Sequence, residues 1–462
     1  MNDAIDPGLT EPPREDEYAL DRGIVTQVLQ AVDDGDHARL VQLFEPLHPA
    51  DIADLLEQVD STQRRELVLL SGGLIDGEVL SEINEDIRED VIDVLPHEQL
   101  TEAVRELESD DVVDILEDMD EPQQEAVLEA LDSIDRIAVE QALSYPEFSA
   151  GRLMQREVVT APEHWHVGDA IDHLRGKDGL PDQFYHIILV NPRHQPVAYV
   201  TLGRLMSSPR TASLKNIAED SFRTFDVLED EGDVAYAFNQ YHLISAPVVD
   251  EDERLVGVIT IDDAMAVLDE EHEEDVFRLA GVGDESLSNS AVEIVRRRMP
   301  WLAVNLATAI MASIVIALFE DVLASAVALA VLMPIVASMG GNAGTQSMTV
   351  AVRALATRDL TGSNAWRVVR RESVAGFLSG CVFAVVMGLV GLIWFNSPAI
   401  GGVIAAAMVV NLLVAGVSGV LVPLGLEKAG IDPALASGTF VTTVTDIVGF
   451  FAFLGLATLV LL

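Results

Sequence analysis

The sequence predicts a multidomain membrane protein: an all-α superhelical N-terminal domain, an α/β tandem pair, a long connector helix and a five-span α-helical transmembrane domain. Three observations carry that expectation. Charge is segregated, because of 28 bases and 76 acids in 462 residues only six bases and seven acids lie beyond residue 298. Uncharged runs long enough to cross a bilayer occur only in that C-terminal part. Two internal repeats, one helical and one mixed, divide the acidic part before it.

The acidic balance excludes nucleic acid as a partner, since affinity for a phosphate backbone comes from Lys and Arg. With only three lysines (Lys177, Lys215 and Lys428), the acid-rich surface reads as a halophile's adaptation to a high-salt cytoplasm. A single cysteine, Cys381, allows neither an intrachain disulfide nor a Cys-based zinc site. Residues 1–20 hold Pro7, Pro12 and Pro13 among acids and lack the basic and apolar regions of a secretory signal, so they read as a disordered cytoplasmic tail.

Residues 21–146 place apolar side chains at helical spacing, as in Ile52, Leu55, Leu56 and Val59. Asp51, Asp54, Leu56, Glu57, Asp60 and Gln63 recur as Asp111, Asp114, Leu116, Glu117, Asp120 and Gln123, and the stretch from Asn84 to Leu95 is a looser copy. Helical units at a fixed period bury their apolar faces on their neighbours, which makes a superhelical solenoid. Residues 147–270 instead alternate short β-rich runs with helices, in two copies at 147–209 and 210–270: Val190, Val197, Val200, Thr201 and Met206 match Val249, Val256, Ile259, Thr260 and Met265. These copies, and the run Gly257-Val258-Ile259-Thr260-Ile261-Asp262-Asp263 above all, resemble a tandem pair of CBS modules. The resemblance implies adenine-nucleotide binding, such as ATP, with Thr260 and Asp263 on the ribose. The same two residues would serve equally as a helix cap.

Helical pattern resumes at Asp262 and runs, with a break at Gly281-Val282-Gly283, to Arg296-Arg297-Arg298; its part over 271–298 is the connector helix that leads to the membrane half, 299–462. Met299 to Phe319 and Val322 to Val352 each suffice for one span, Ser373 to Leu426 splits into two at Asn396-Ser397-Pro398, and the stretch from Pro433 supplies the fifth. Bases precede span one and lie between spans two and three, which puts the N-terminus in the cytoplasm and the C-terminus outside. Five spans are few for a pore, so a homodimer with the path on its two-fold axis is expected.

Two features within the membrane demand a reason. Asp446 is a carboxylate in an apolar segment, costing ~2.5 kcal/mol or more, and such a group marks an ion path. Gly340-Gly341-Asn342-Ala343-Gly344-Thr345-Gln346 allows close helix approach or local unwinding, and Asn342 and Gln346 lie one turn apart on one face. A path of carboxylate and amide oxygens suits a hard cation such as Mg²⁺, which gives up its waters reluctantly.

This domain order, with Gly-Gly-Asn-x-Gly-x-Gln in span two and Pro433 to Asp446 in span five, resembles the MgtE family of magnesium channels and transporters. The resemblance implies a homodimer in the lipid bilayer, not an enzyme, whose spans two and five line a pore. Asp446 would hold hydrated Mg²⁺, and Gly341, Asn342, Gln346 and Thr442 would complete the site. It further implies gating by intracellular Mg²⁺ at Asp262, Asp263, Glu271, Glu274 and Asp275, with Asp90 and Asp93 as additional sensor acids. A carrier for Co²⁺ or Mn²⁺, and a non-conducting membrane-anchored nucleotide sensor, remain as alternatives.

Overall fold

A computed structural model of the chain describes residues 20–461, apart from 21, 106, 118, 120, 132, 177–179, 182, 220–221 and 283–290. The expected tail, save Leu20, lies outside the described residues. The chain divides into two compact units, Met1–Asp269 and Glu270–Leu462.

In the first unit, ten short helices run from Arg22–Asp34 to Ser133–Ala142 around a continuous core containing Leu40, Leu55, Leu56, Leu67, Leu80, Ile115 and Leu116, all with no exposed surface. Many of the acids that look like solvated surface are helix caps. Asp36, Asp60 and Asp76 accept backbone N–H bonds at helix starts, and Asp51 closes a capping box with His48. The 60-residue repeat has a physical basis. The buried Arg64 donates to the carbonyls of Leu56 and Val59, and Gln124 donates to those of Leu116 and Met119 in the same way. The intermediate copy uses Arg88 on the Ile83 carbonyl. Each side chain thus satisfies helix-terminal carbonyls that solenoid packing removes from water.

The mixed region forms two three-stranded sheets. The first contains β1 (Thr160–Pro162), β2 (His186–Val190) and β3 (Pro196–Thr201), and the second contains β4 (Phe225–Asp226), β5 (Ser245–Val249) and β6 (Leu255–Thr260). In each, the first strand is parallel to the second and the second antiparallel to the third, with His186 opposite Thr201 and Ser245 opposite Thr260. Even the register shift recurs, at Leu189/Val190 and Val248/Val249. The 59-residue sequence repeat is therefore a repeat of structure.

The helix Ile261–Ala280 starts directly after β6 and runs through the expected boundary at 270/271 without a break. It ends at Gly281, whose φ of +70° suits glycine. The arginines 296–298 belong to the next helix, Ala291–Ala317, which continues as span one, and the helical pattern breaks after Ala280, at the glycine-containing stretch where the sequence places a break. Spans two to five are Val327–Ala356, Ala365–Phe395, Pro398–Lys428 and Pro433–Leu461, and among the described residues five helices are long and apolar enough to cross a membrane. Span four, which buries Ile404, Ala407, Met408 and Leu412, packs against spans two, three and five.

Candidate ion pathway and sensor acids

Span two carries the glycine motif in an unbroken helix, so the expected local unwinding does not occur. The glycines serve helix approach instead. A Cβ at Gly344 would lie 2.6 Å from Val441 Cγ1 and 3.5 Å from Thr445 Cγ2, and one at Gly341 would lie 3.9 Å from Thr442 Cγ2. Small residues let two backbones meet where lipid offers no competing hydrophobic force. The motif of span two and the Thr442 to Asp446 segment of span five, about 100 positions apart in sequence, are thereby in direct contact.

Asn342 and Gln346 are both exposed in the single chain, with Thr345 between them. Asn342 makes one long bond to Ser338 Oγ, at 3.5 Å. Asp446 is half-buried and makes no hydrogen bond or ion pair with the described residues. The threonines beside it bond back to their own helix: Thr442 to the carbonyls of Gly438 and Thr439, Thr443 to Thr439, and Thr445 to Thr442. The hydroxyl protons of Thr442 and Thr443 are thus directed at the backbone, leaving their oxygen lone pairs to bind a cation or accept from its water, whereas Thr445 is fully buried. Span one adds Asn305, whose Oδ1 accepts from Thr439 at 2.8 Å; a single amide in an apolar helix gave no sequence signal of that contact.

The sensor acids fall into separate environments. Asp90 pairs with the buried Arg64 at 3.0 Å, and Asp93 accepts from Gln123 at 3.4 Å, so both have structural tasks in the solenoid. Thr260 Oγ1 donates to Asp263 at 2.6 Å and the Thr260 N–H reaches the same carboxylate, the reciprocal half of a capping box at the helix start. Asp262 is exposed beside it. Around Asp263 stand three acids that the sequence did not single out as a site: Glu108, Asp110 and Asp111. Burial, then Asp263 and Asp114, push Asp111 from 3.8 to about 7. Burial, with a smaller push from Asp262, raises Asp263 to about 6. Asp110, enclosed and facing Asp263 and Asp111, is raised as well. Asp111 occupies the repeat position of Asp51, a plain cap, so repetition concealed its different surroundings.

In the second unit, Glu274 pairs with Arg278, which also reaches Asp432 at 3.4 Å, just before span five. Asp275 is raised by burial first and by Asp432 second. Glu271 is exposed on the same helix. Leu279 packs with Met348, Val352, Ala434 and Val441, which joins the end of this helix to spans two and five. Among the described residues no three His, Cys, Asp or Glu side chains converge closely enough to hold a metal ion.

Three family profiles match: the MgtE intracellular N domain over residues 47–148, a CBS domain over 220–270, and the MgtE divalent cation transporter domain over 333–456. The magnesium transporter MgtE of Thermus thermophilus is 31% identical over 452 residues, covering 96% of this chain and 99% of that protein. The chain belongs to the MgtE family. The Bacillus subtilis magnesium transporter MgtE is 29% identical over 94% of this chain and 97% of its own length. A solved cytosolic domain of the Mg²⁺ channel MgtE in complex with ATP is 27% identical, covers 53% of this chain and 99% of that one, and has a TM-score of 0.48. MgtE membership makes this a membrane transporter and not an enzyme, with its N-terminal domain in the cytosol.

The crowded acids predict a local pH response. The folded state holds the Asp111 proton up to about pH 7, whereas the unfolded chain releases it near 3.8, so stability is lost as pH rises through that window. Hydrogen-exchange protection factors of the helix Ser109–Glu117 in the whole protein should fall between pH 4.5 and 7.5. Asp111→Asn should reduce the difference, the remainder coming from Asp110 and Asp263; an unchanged difference would show that Asp111 does not contribute to it.

Proposed function

We propose that the protein is a Mg²⁺-selective channel that admits magnesium to the cytoplasm down its electrochemical gradient and closes when intracellular Mg²⁺ rises. The observation that carries this is the contact of Gly341 and Gly344 with Thr442, Val441 and Thr445, which places an unpaired carboxylate and a polar helix face in one region of the membrane half. Asn342, Thr345 and Gln346 would be costly against lipid, so a second copy of the chain covers them, and the path runs along the two-fold axis of a homodimer. An aqueous path of amide, hydroxyl and carboxylate oxygens suits a cation that keeps part of its hydration shell. The C-terminus then lies outside.

Gating follows from like charges. Asp110, Asp111 and Asp263 within the first unit, and Asp275 and Asp432 within the second, repel when ionised. A divalent ion between such carboxylates, holding several of its waters, removes the repulsion and favours the compact, closed state. Uptake into proteoliposomes with Mg²⁺, Co²⁺ and Mn²⁺ compared tests the function. Faster Co²⁺ or Mn²⁺ uptake would replace the magnesium assignment with another divalent ion, and absence of all three would leave a non-conducting sensor.

A nucleotide site at the CBS pair is a second reading, supported by a cleft lined by Gln155, Glu157, Phe184, Tyr185, His186, Ser245 and Thr260 among others. No Lys or Arg is among the described residues lining it, and burial lowers His186 to about 4, so it offers phosphates no fixed positive charge. Titration calorimetry with ATP, ADP and AMP should give weak binding, with similar affinity for all three, that drops in Asp263→Ala. No heat with any of them would leave Thr260 and Asp263 as a cap alone.

A further inference from the structure

Asn411, near the middle of span four, has no exposed surface. Its Nδ2 donates to the Val336 carbonyl of span two at 2.8 Å, and its Oδ1 has no hydrogen-bond donor. The amide orientation is set by that bond, since the flipped group would put Oδ1 against a carbonyl oxygen. A buried acceptor without a donor is costly, and an apolar side chain would avoid the cost, so packing alone does not explain an asparagine here.

Its surroundings suggest the reason. The side chain occupies a notch that two glycines leave open. A Cβ at Gly340 of span two would lie 2.9 Å from Oδ1, and one at Gly449 of span five would lie 3.0 Å from it. Gly340 directly precedes Gly341, which faces Thr442, and Gly449 follows Asp446 by three residues. We propose that Asn411 is a positioning residue: wedged between Gly340 and Gly449 and bonded to Val336, it sets the register of the span-two motif against the Thr442 to Asp446 segment. This rests on the assignment of those segments to the ion path. Apolar faces of helices in lipid can slide past one another at little cost, whereas a directional bond into one backbone carbonyl specifies a single arrangement.

The test uses the full-length protein with Asn411→Leu, which keeps the branching at Cγ and removes the unmet acceptor, although leucine is the larger side chain. It should fold, yet its maximal Mg²⁺ uptake should fall about tenfold or more, as a small misplacement of the ligating groups demands. A short bifunctional cross-linker between cysteines at 341 and 442, in a Cys381→Ala background, should give a lower yield in Asn411→Leu than with Asn411 present. Gly340→Ala should lower the same yield by displacing the amide, and adding Asn411→Leu should lower it no further, because the contribution of the amide is already lost. Unchanged cross-linking in Asn411→Leu overturns the proposal, whatever uptake does. A parent that carries no Mg²⁺ while cross-linking still drops would overturn the path assignment and leave the register role intact.

Discussion

Proteoliposomes containing Asp446→Ala should take up no Mg²⁺ above the protein-free background, while the protein still elutes at the parental position. The structure makes the fold's indifference to this change an expectation, because Asp446 has no hydrogen-bond or ion-pair partner among the described residues and its removal strands none. Breaking a buried ion pair costs several kcal/mol by leaving the other charge alone, about 3–5, and that cost is absent here. Transport loses the one carboxylate that repays an ion for the water it gives up. Asp446→Asn should keep the shape and lose most of the flux, since an amide oxygen attracts a divalent ion far less than a carboxylate. Undiminished uptake in both variants would remove Asp446 from the path and favour a structural part for it in span five.

The second large effect concerns closure. Neutralising Glu271, Glu274 and Asp275 together, as Gln, Gln and Asn, should give a channel that stays open as internal Mg²⁺ is raised, or closes only at far higher concentration. A ligand shifts a two-state equilibrium only by its differential affinity, and moving it from 1:99 to 99:1 needs about 10⁴-fold tighter binding to one state. Asp275 and Asp432 supply a place for that difference, because they crowd each other next to span five. Arg278 already joins Glu274 to Asp432, so part of the attraction is built in and the ion supplies the rest. Molar KCl screens exposed charges beyond ~3 Å but does not replace a divalent ion in direct contact with carboxylates, so the response should persist in high salt. Uptake measured against internal Mg²⁺ at high KCl decides it. Closure of the triple variant at the parental Mg²⁺ concentration would assign these acids to the solvated surface and move the sensor to Asp110, Asp111 and Asp263.

The domain order, both repeats, the five spans and the two membrane motifs were all legible in the sequence by itself. Each rests on local periodicity or on the cost of charge in lipid, and both act within a few turns of chain. That Asp446 is conspicuous follows from the same reasoning, since 29 residues of span five contain no other charge. Partnership was decided only in three dimensions. Asp51 and Asp111 are equivalent in the repeat, yet one closes a helix cap and the other crowds Asp263 from a distant part of the chain. Asp90 reads as a sensor acid until Arg64 is found beside it. Asn411 lies in an apolar run with nothing local to mark it, and the glycines that admit it are 71 positions before and 38 after. Local sequence sets which faces are apolar and where helices start and stop; which polar group meets which is fixed by helix packing, where the absence of two Cβ atoms decides how near one backbone comes to another.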